Sequence, residues 1–481
     1  MKAVVIGSGF GGLASALLLA KAGCKVVVLE RQHQAGGCLQ SYRRGEHWLD
    51  TGLHYVGGLA EGQTLHSLFD ELGLMNLPWR RLDADGFDRV TIGGETFCYA
   101  EGYDRFAETL AENFPQERDA LYRYTDLLRH LPSIQEIGEV SAYSYLTENF
   151  RDPLLINVLA GTMLKTELRR ESLPLFHFAH GQSSFIQSSW RLAGEGNLMV
   201  EQLLSGIVFH GGELYSDCEV DELIERDGRI VAAHCNNGLE VEGDVFISDV
   251  HPAQTFSMVK ESQVLKRLFR RRISTLDNTM GMFTASLVIK PHALKYFNHN
   301  KFVYRRANVW DEVRGMRYET RGARYEVDRV MVSARVPEDG DDNVELIDLL
   351  TPMPWAMCQQ WEQTSVGRRG DDYKAMKQQI AEACIALAEE VIPGLGAMVD
   401  KIYTSTPLTY RDYTLTPQGS AYGLRKDCRS LLTTSLSVRT PIANLLLTGQ
   451  NVMLHGLEGV AMTAKATADV LVKGDYLSAA R

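Results

Sequence analysis

Near the N-terminus, Gly7-Ser8-Gly9-Phe10-Gly11-Gly12 has the glycine spacing G-x-G-x-x-G, and an acid, Glu30, follows downstream with Arg31 beside it. Residues of these types at this spacing hold a dinucleotide diphosphate. Gly7 permits a tight turn, Gly9 lets the backbone approach a pyrophosphate, and Gly11-Gly12 lets a helix start close against the preceding strand. The diphosphate then sits at the positive end of that helix. The Glu30 carboxylate can accept hydrogen bonds from both hydroxyls of a ribose.

The elements that must position these residues can be read around them. Lys2–Ile6 (KAVVI) has strand length, residues 13–22 are small, apolar and free of proline, and Lys25–Leu29 is a second strand ending on Glu30. The unit is β-α-β with the fingerprint in its first turn. A glycine-rich turn in some other α/β fold would lack the trailing acid. A secretory signal, suggested by Lys2 ahead of an apolar stretch, is disfavoured by five glycines between positions 7 and 23 and by the lack of a small-residue cleavage site.

A chain of 481 residues exceeds one simple core, so two domains are expected. The net charge of −11 disfavours general nucleic-acid binding. The eight cysteines are scattered with no CxxC pair, which argues against a disulfide framework or a structural zinc and for a reducing cytoplasm; no metal site is expected. No run of about 18 purely apolar residues suggests a membrane span.

Residues 103–114, 116–129 and 152–164 read as amphipathic helices, and 88–100, with Gly93-Gly94 between two β-rich runs, as a hairpin. A helix is expected over 197–209, short strands over 214–220, 222–225, 229–235 and 239–248, and further strands within 280–304, 329–336 and 344–350. An acidic turn spans 338–342, and a long amphipathic helix 373–392. Lys266, Arg267, Arg270, Arg271 and Arg272 lie among Leu265, Leu268, Phe269 and Ile273 in the one basic amphipathic stretch of an acidic protein. That stretch could rest on an anionic bilayer, although a solvated helix face is the commoner use of such a pattern.

Gly36-Gly37-Cys38, followed by Asp50-Thr51-Gly52-Leu53-His54-Tyr55, resembles the phytoene desaturase, carotenoid isomerase and retinol saturase family, flavoproteins related to the amine oxidases. So do Gly419-Ser420-Ala421-Tyr422-Gly423, Thr448-Gly449-Gln450-Asn451 and His455-Gly456-Leu457-Glu458-Gly459-Val460. Amine oxidases usually carry Arg where Cys38 stands. The family usually has Asn at the place of Asp249, and Pro or Val at that of Glu458. The resemblance implies an α/β fold with a Rossmann-type FAD-binding domain from residues 1–63, 190–260 and 405–481. An interleaved α+β substrate or cap domain would come from 64–189 and 261–404. It implies noncovalent FAD, with Gly36, Gly37 and Cys38 close to the cofactor, the Val220 backbone at the adenine edge, and Gly449 and Gln450 closing over the flavin. The helix start at Gly459 and Val460 would face the N1/O2 edge.

The implied activity is FAD-dependent saturation, desaturation or isomerisation of C=C bonds in a long apolar polyene of the retinoid or carotenoid kind. The electron donor would be NAD(P)H or a small redox protein. Docking through Lys266 to Arg272 would place a cytoplasmic protein on the inner membrane face. A flavin amine oxidase and a non-catalytic prenyl-lipid binding protein of the same fold are the other readings. A hydride transfer to or from a C=C bond also requires a proton to be moved. The residues that the resemblance brings near the flavin and that could move one are Glu458, His54 and His455, with burial expected to raise the Glu458 pKa.

Overall fold

The computed structural model describes residues 1–311, 317–319, 322–337 and 341–473. The N-terminal unit forms as its sequence dictates. β1 (Lys2–Ile6), β2 (Lys25–Leu29), β3 (Glu213–Tyr215), β4 (Val245–Ser248) and β5 (Leu445–Leu447) make a sheet in the order β3-β2-β1-β4-β5. Every neighbouring pair is parallel; Val4 sits opposite Val27 on one side and Phe246 on the other. Continuous runs of Val, Ile and Leu suit strands covered on both faces. After β1 the chain enters helix α1 (Phe10–Lys21), which is buried from Phe10 through Ala20. It packs between the sheet and the helices Asn197–Phe209 and Gly456–Val472. A helix apolar on every side is stable only when enclosed in this way. The fold is thus α/β with a Rossmann-type sheet.

Two expected strands are shorter than their composition suggests. The run 214–220 breaks after Tyr215, because Asp217 takes a left-handed conformation (φ 54°) and Cys218 N–H donates to the Glu30 carbonyl at 2.8 Å. The strand resumes as Val220–Arg226. Likewise 239–248 divides at Gly243-Asp244, where Asp244 Oδ2 accepts the backbone N–H of Lys2 at 2.6 Å and β4 then joins the parallel sheet.

A second sheet holds seven strands in the order Val399–Ser405, Gly281–Ile289, Leu346–Met353, Arg329–Ala334, Asn300–Tyr304, Asp88–Ile92, Glu95–Tyr99. All pairs are antiparallel except Asn300–Tyr304 with Asp88–Ile92. The hairpin turns on Gly93 and Gly94, both at positive φ, as a two-residue hairpin turn requires. Helices Tyr103–Asn113 and Arg118–Arg129 stand where the amphipathic pattern places them, and the helix expected over 373–392 runs over Gly370–Ala388. The helix expected over 152–164 stops at Ala160, a residue before the Gly161 carbonyl accepts the Tyr304 hydroxyl at 2.7 Å. Residues 338–340 of the expected acidic turn, and 474–481, lie outside the described residues.

Two buried carboxylates anchor the 50–55 segment to the second sheet. Asp50 Oδ1 accepts from Ser41 Oγ (2.6 Å) and Gly196 N–H (2.9 Å), and its Oδ2 accepts from Arg335 Nη2 (2.7 Å). Asp88 accepts from the Tyr55 hydroxyl (2.7 Å) and Asn300 Nδ2 (2.9 Å). Each carboxylate joins elements far apart in sequence, and together they fix His54 and Tyr55 between the two sheets.

The basic stretch forms a helix only over Arg267–Ser274. Lys266, Arg267, Arg271 and Arg272 are exposed and Leu268 is 79% exposed, whereas Arg270 is turned inward with Nη2 donating to the Val259 carbonyl at 2.6 Å. Among the described residues no helix is long and apolar enough to cross a membrane.

Candidate cofactor and active site

The carboxyl ends of four parallel strands converge: β1 runs into Gly7, β2 into Glu30, β4 into Asp249, and β5 into Thr448-Gly449. The order of the sheet reverses between β1 and β4, and open α/β sheets bind ligands at this point. Gly7 has φ +92°, which only glycine adopts freely. The glycine surfaces are all in use. A Cβ on Gly9 would come within 2.5 Å of Asp249 Oδ2, one on Gly11 within 2.7 Å of the Gly449 Cα, and one on Gly12 within 2.1 Å of the Gly7 carbonyl oxygen. Gly37, at φ +55°, would place a Cβ 3.1 Å from the Gly9 Cα, and Gly36 N–H donates to the Ser8 carbonyl at 3.1 Å. The second glycine pair therefore closes against the first.

Glu30 is buried and holds the fingerprint loop. Its Oε2 accepts from Ser8 N–H (2.9 Å) and Ser8 Oγ (2.5 Å), and its Oε1 accepts from Gln32 N–H (2.7 Å). Arg31 is clamped outward, its Nη2 donating to the carbonyls of Asp412 (2.7 Å) and Tyr413 (3.0 Å).

A cavity of about 560 Å³ begins at this cradle and continues under the second sheet. Its wall includes Gly7, Gly9, Gly11, Glu30, Arg31, Gly37, Cys38, Val220, Gln450, Gly459 and Val460, and also His54, His455 and Glu458. Gly12, Gly36 and Gly449 lie behind the wall and shape it. Beyond the cradle the lining is mostly apolar and aromatic: Met163, Phe185, Met282, Leu350, Tyr410 and Tyr422. The glycine surfaces, the helix start and the carboxylate on β2 together fit a dinucleotide. Burial and the nearby Asp249 push the Cys38 thiol up to about 11, so it is a poor nucleophile.

The three expected proton carriers all face the cavity but in different states. Glu458 stands in the first turn of the last helix, and its Oε2 is buried with no hydrogen-bond partner among the described residues. The His54 side chain is 12% exposed with Nδ1 3.8 Å from Asp348 Oδ2, and burial outweighs that carboxylate to lower its pKa below 6.5. His455 Nε2 is 3.0 Å from Thr166 Oγ1, and its ring packs against Tyr422.

Three residues of consequence carry no local sequence signal for their roles. Asp249 stands out in the sequence only as a departure from the family. The structure places its carboxylate between Gly9, Gly11 and Gly449, where burial pushes its pKa up to about 7, opposed by a hydrogen bond from the Gly12 backbone and aided by Glu30. His177 and His180, three apart on the helix Leu175–Gln187, also line the cavity; their spacing could have flagged a shared face.

The place of Asp249 leads to a pH prediction. A pyrophosphate brought to the α1 start stands beside this carboxylate and favours its protonated form, so binding takes up a proton at and above neutral pH. Dinucleotide affinity is expected to fall as pH rises through about 7, approaching about tenfold per unit. Asp249→Asn should flatten this dependence and tighten binding at pH 8. The raised pKa in the ligand-free fold also means that this group's contribution to stability is full below the ordinary carboxylate range and is lost as pH rises through about 7. Calorimetric titration with FAD from pH 6 to 8.5 checks the first point; an identical slope in the Asn variant would contradict it.

Fold and site define an α/β Rossmann-class protein built to hold a dinucleotide across a switch point and an apolar ligand beyond it. A family model for an NAD(P)-binding Rossmann-like domain matches residues 5–72. The chain is 25% identical to the human (Homo sapiens) all-trans-retinol 13,14-reductase, over 99% of this chain and 86% of that protein. It is 24% identical to the neurosporene-forming phytoene desaturase of Rhodobacter capsulatus (88% and 84% covered) and 23% to the chloroplastic prolycopene isomerase of Daucus carota (97% and 80%). A putrescine oxidase structure superposes with a TM-score of 0.66 at 18% identity, covering 98% of both chains, which shows a shared fold. Over nearly its whole length the chain is thus similar to proteins named as a retinol reductase, a phytoene desaturase and a prolycopene isomerase.

Proposed function

We propose that the protein is an FAD-dependent oxidoreductase that saturates, desaturates or isomerises C=C bonds of a long apolar polyene. The observation that carries this reading is the continuity of one cavity from the glycine cradle into a chamber lined by Met163, Phe185, Met282, Leu350 and Tyr422. When bound, the flavin would supply hydride or electron exchange with the carbon skeleton. The residues of the chain do the rest. Gly9, Gly11 and the α1 start would receive the diphosphate, and Glu30, which holds the loop, would also accept from the ribose. The first turn of Gly456–Val472 would offer its N–H groups to a flavin ring held in the cavity, where they would favour negative charge. Noncovalent attachment agrees with the high pKa of Cys38. Convergence of the strand ends on one cradle favours a donor that visits the flavin itself, NAD(P)H or a small redox protein, over a second nucleotide site. Alkylamine oxidation is less favoured, because the chamber beyond the cradle is largely apolar.

Glu458 is the first choice for the proton carrier, because its unpartnered oxygen faces the cavity; His54 is the second. Glu458→Gln should lower turnover about 100-fold or more with FAD content unchanged, and His54→Gln less. Full turnover in both variants from pH 6 to 9 would leave the proton to water or to the flavin itself.

The exposed cations of Arg267–Ser274 and the protruding Leu268 are the surface on which an anionic bilayer could receive the protein. Joint reversal of Arg267, Arg271 and Arg272 to Glu should reduce co-sedimentation with anionic vesicles by about tenfold at low salt. Arg270 is left in place because it holds the Val259 carbonyl. Unchanged sedimentation would remove this surface from the account.

A further inference from the structure

The helix Leu175–Gln187 turns one face to the cavity, with His177, His180, Gly181, Ser184 and Phe185 at i, i+3, i+4, i+7 and i+8. His177 is 3% exposed, and neither Nδ1 nor Nε2 has a hydrogen-bond partner among the described residues. Its polar neighbours are already engaged. His455 Nε2 lies 3.0 Å from Thr166 Oγ1, and Lys426 Nζ donates to the carbonyls of Thr434 (3.1 Å), Asn451 (2.9 Å) and Val452 (3.0 Å).

Burial first, then Lys426, His455 and His180, hold the His177 pKa well below the ordinary histidine value; the Met453 backbone, near the ring but outside hydrogen-bond geometry, acts in the other sense. The ring is therefore neutral at physiological pH, with one N–H to donate and one lone pair to offer. A neutral imidazole of this kind is a weak acid and a weak base, so it is poorly suited to proton transfer and well suited to a fixed hydrogen bond. Buried polar atoms without partners are costly, and a pair of them at a cavity wall marks a place that a ligand completes. A pure hydrocarbon could fill the apolar chamber but would leave this ring unpaired.

We infer that His177 is the hydrogen-bonding anchor for an oxygen atom on the ligand, and that the polyene taken by this site bears a hydroxyl or carbonyl group rather than being an all-carbon chain. This inference rests on the polyene reading above. His177 acts here in binding and specificity; the proton carriers remain Glu458 and His54.

The test is equilibrium binding to the FAD-loaded protein, with oxidised flavin, of two probes: all-trans-retinol and the hydrocarbon that lacks its hydroxyl. The wild-type protein should prefer the alcohol by about tenfold. His177→Phe should erase the preference while leaving hydrocarbon affinity unchanged, and His177→Gln, which keeps a donor and an acceptor, should retain part of it. Because no protein hydrogen bond is lost, the melting temperature of ligand-free His177→Phe should equal or exceed that of wild type. A fall of several degrees would show that the ring serves the fold and would overturn the inference. Equal binding of the two probes by wild type, as when only a water bonds the ring, or an undiminished preference in His177→Phe, would overturn it and leave the polyene reading standing. Binding of neither probe would overturn both.

Discussion

Gly12→Ala is expected to unfold the nucleotide half of the protein. A single added methyl would sit 2.1 Å from the Gly7 carbonyl oxygen and 3.3 Å from the Asp249 Cβ. Both neighbours are fixed, the first as backbone in the turn between β1 and α1, the second by its place at the end of β4. The clash can be relieved only by lifting α1 from the sheet. That would open the cluster of Leu13, Leu17, Val28 and Ile247 packed beneath it. The expected loss is about 3 kcal/mol or more, read as a large fall in denaturant midpoint or as insoluble protein. A variant melting within about 1 °C of wild type, a shift that corresponds to about 1 kcal/mol for a chain of this length, would contradict the tight helix–strand contact.

Glu30→Ala should strip the protein of flavin. The carboxylate accepts from Ser8 N–H, Ser8 Oγ and Gln32 N–H, so the substitution frees the loop that must meet the diphosphate and also removes the acceptor for the ribose. Loss of the two charge-assisted bonds expected from the ribose hydroxyls alone amounts to about 3 kcal/mol, or about 100-fold in FAD affinity. Glu30→Gln keeps one acceptor oxygen and should fall between the two. Retention of stoichiometric FAD by Glu30→Ala through gel filtration would show that the cofactor is held elsewhere.

What could be read from the sequence was local. The β1-α1-β2 unit, the hairpin at Gly93-Gly94 and the amphipathic helices follow from periodicity and glycine placement, which depend on neighbours in the chain. The break at Asp217 was not readable, because the residues that end that strand are backbone groups of Glu30 and Gln32 on β2 and after it. Asp249 stood out in the sequence, but its position among Gly9, Gly11 and Gly449 arises only when three strand ends meet. The spacing of His177 and His180 hinted at a shared helix face, but an unpaired imidazole is a property of the packed cavity. The glycine cradle with Glu30 was therefore legible as a group, and so were His54, His455 and Glu458 through the resemblance, whereas the rest of the apolar wall was not.

The central claim is that bound FAD and a polyene share one cavity and exchange reducing equivalents or isomerise a bond there. The most direct test is anaerobic mixing of the FAD-loaded protein, with flavin first oxidised and then photoreduced, with all-trans-retinol or a carotenoid, following the flavin and polyene absorbance together and the product mass. The account predicts a polyene spectrum that changes only when FAD is bound, with a gain or loss of two hydrogens matched to flavin oxidation state, or an unchanged mass with a shifted double-bond geometry. Polyenes that emerge unaltered from both flavin states, while a simple amine reduces the flavin, would contradict it.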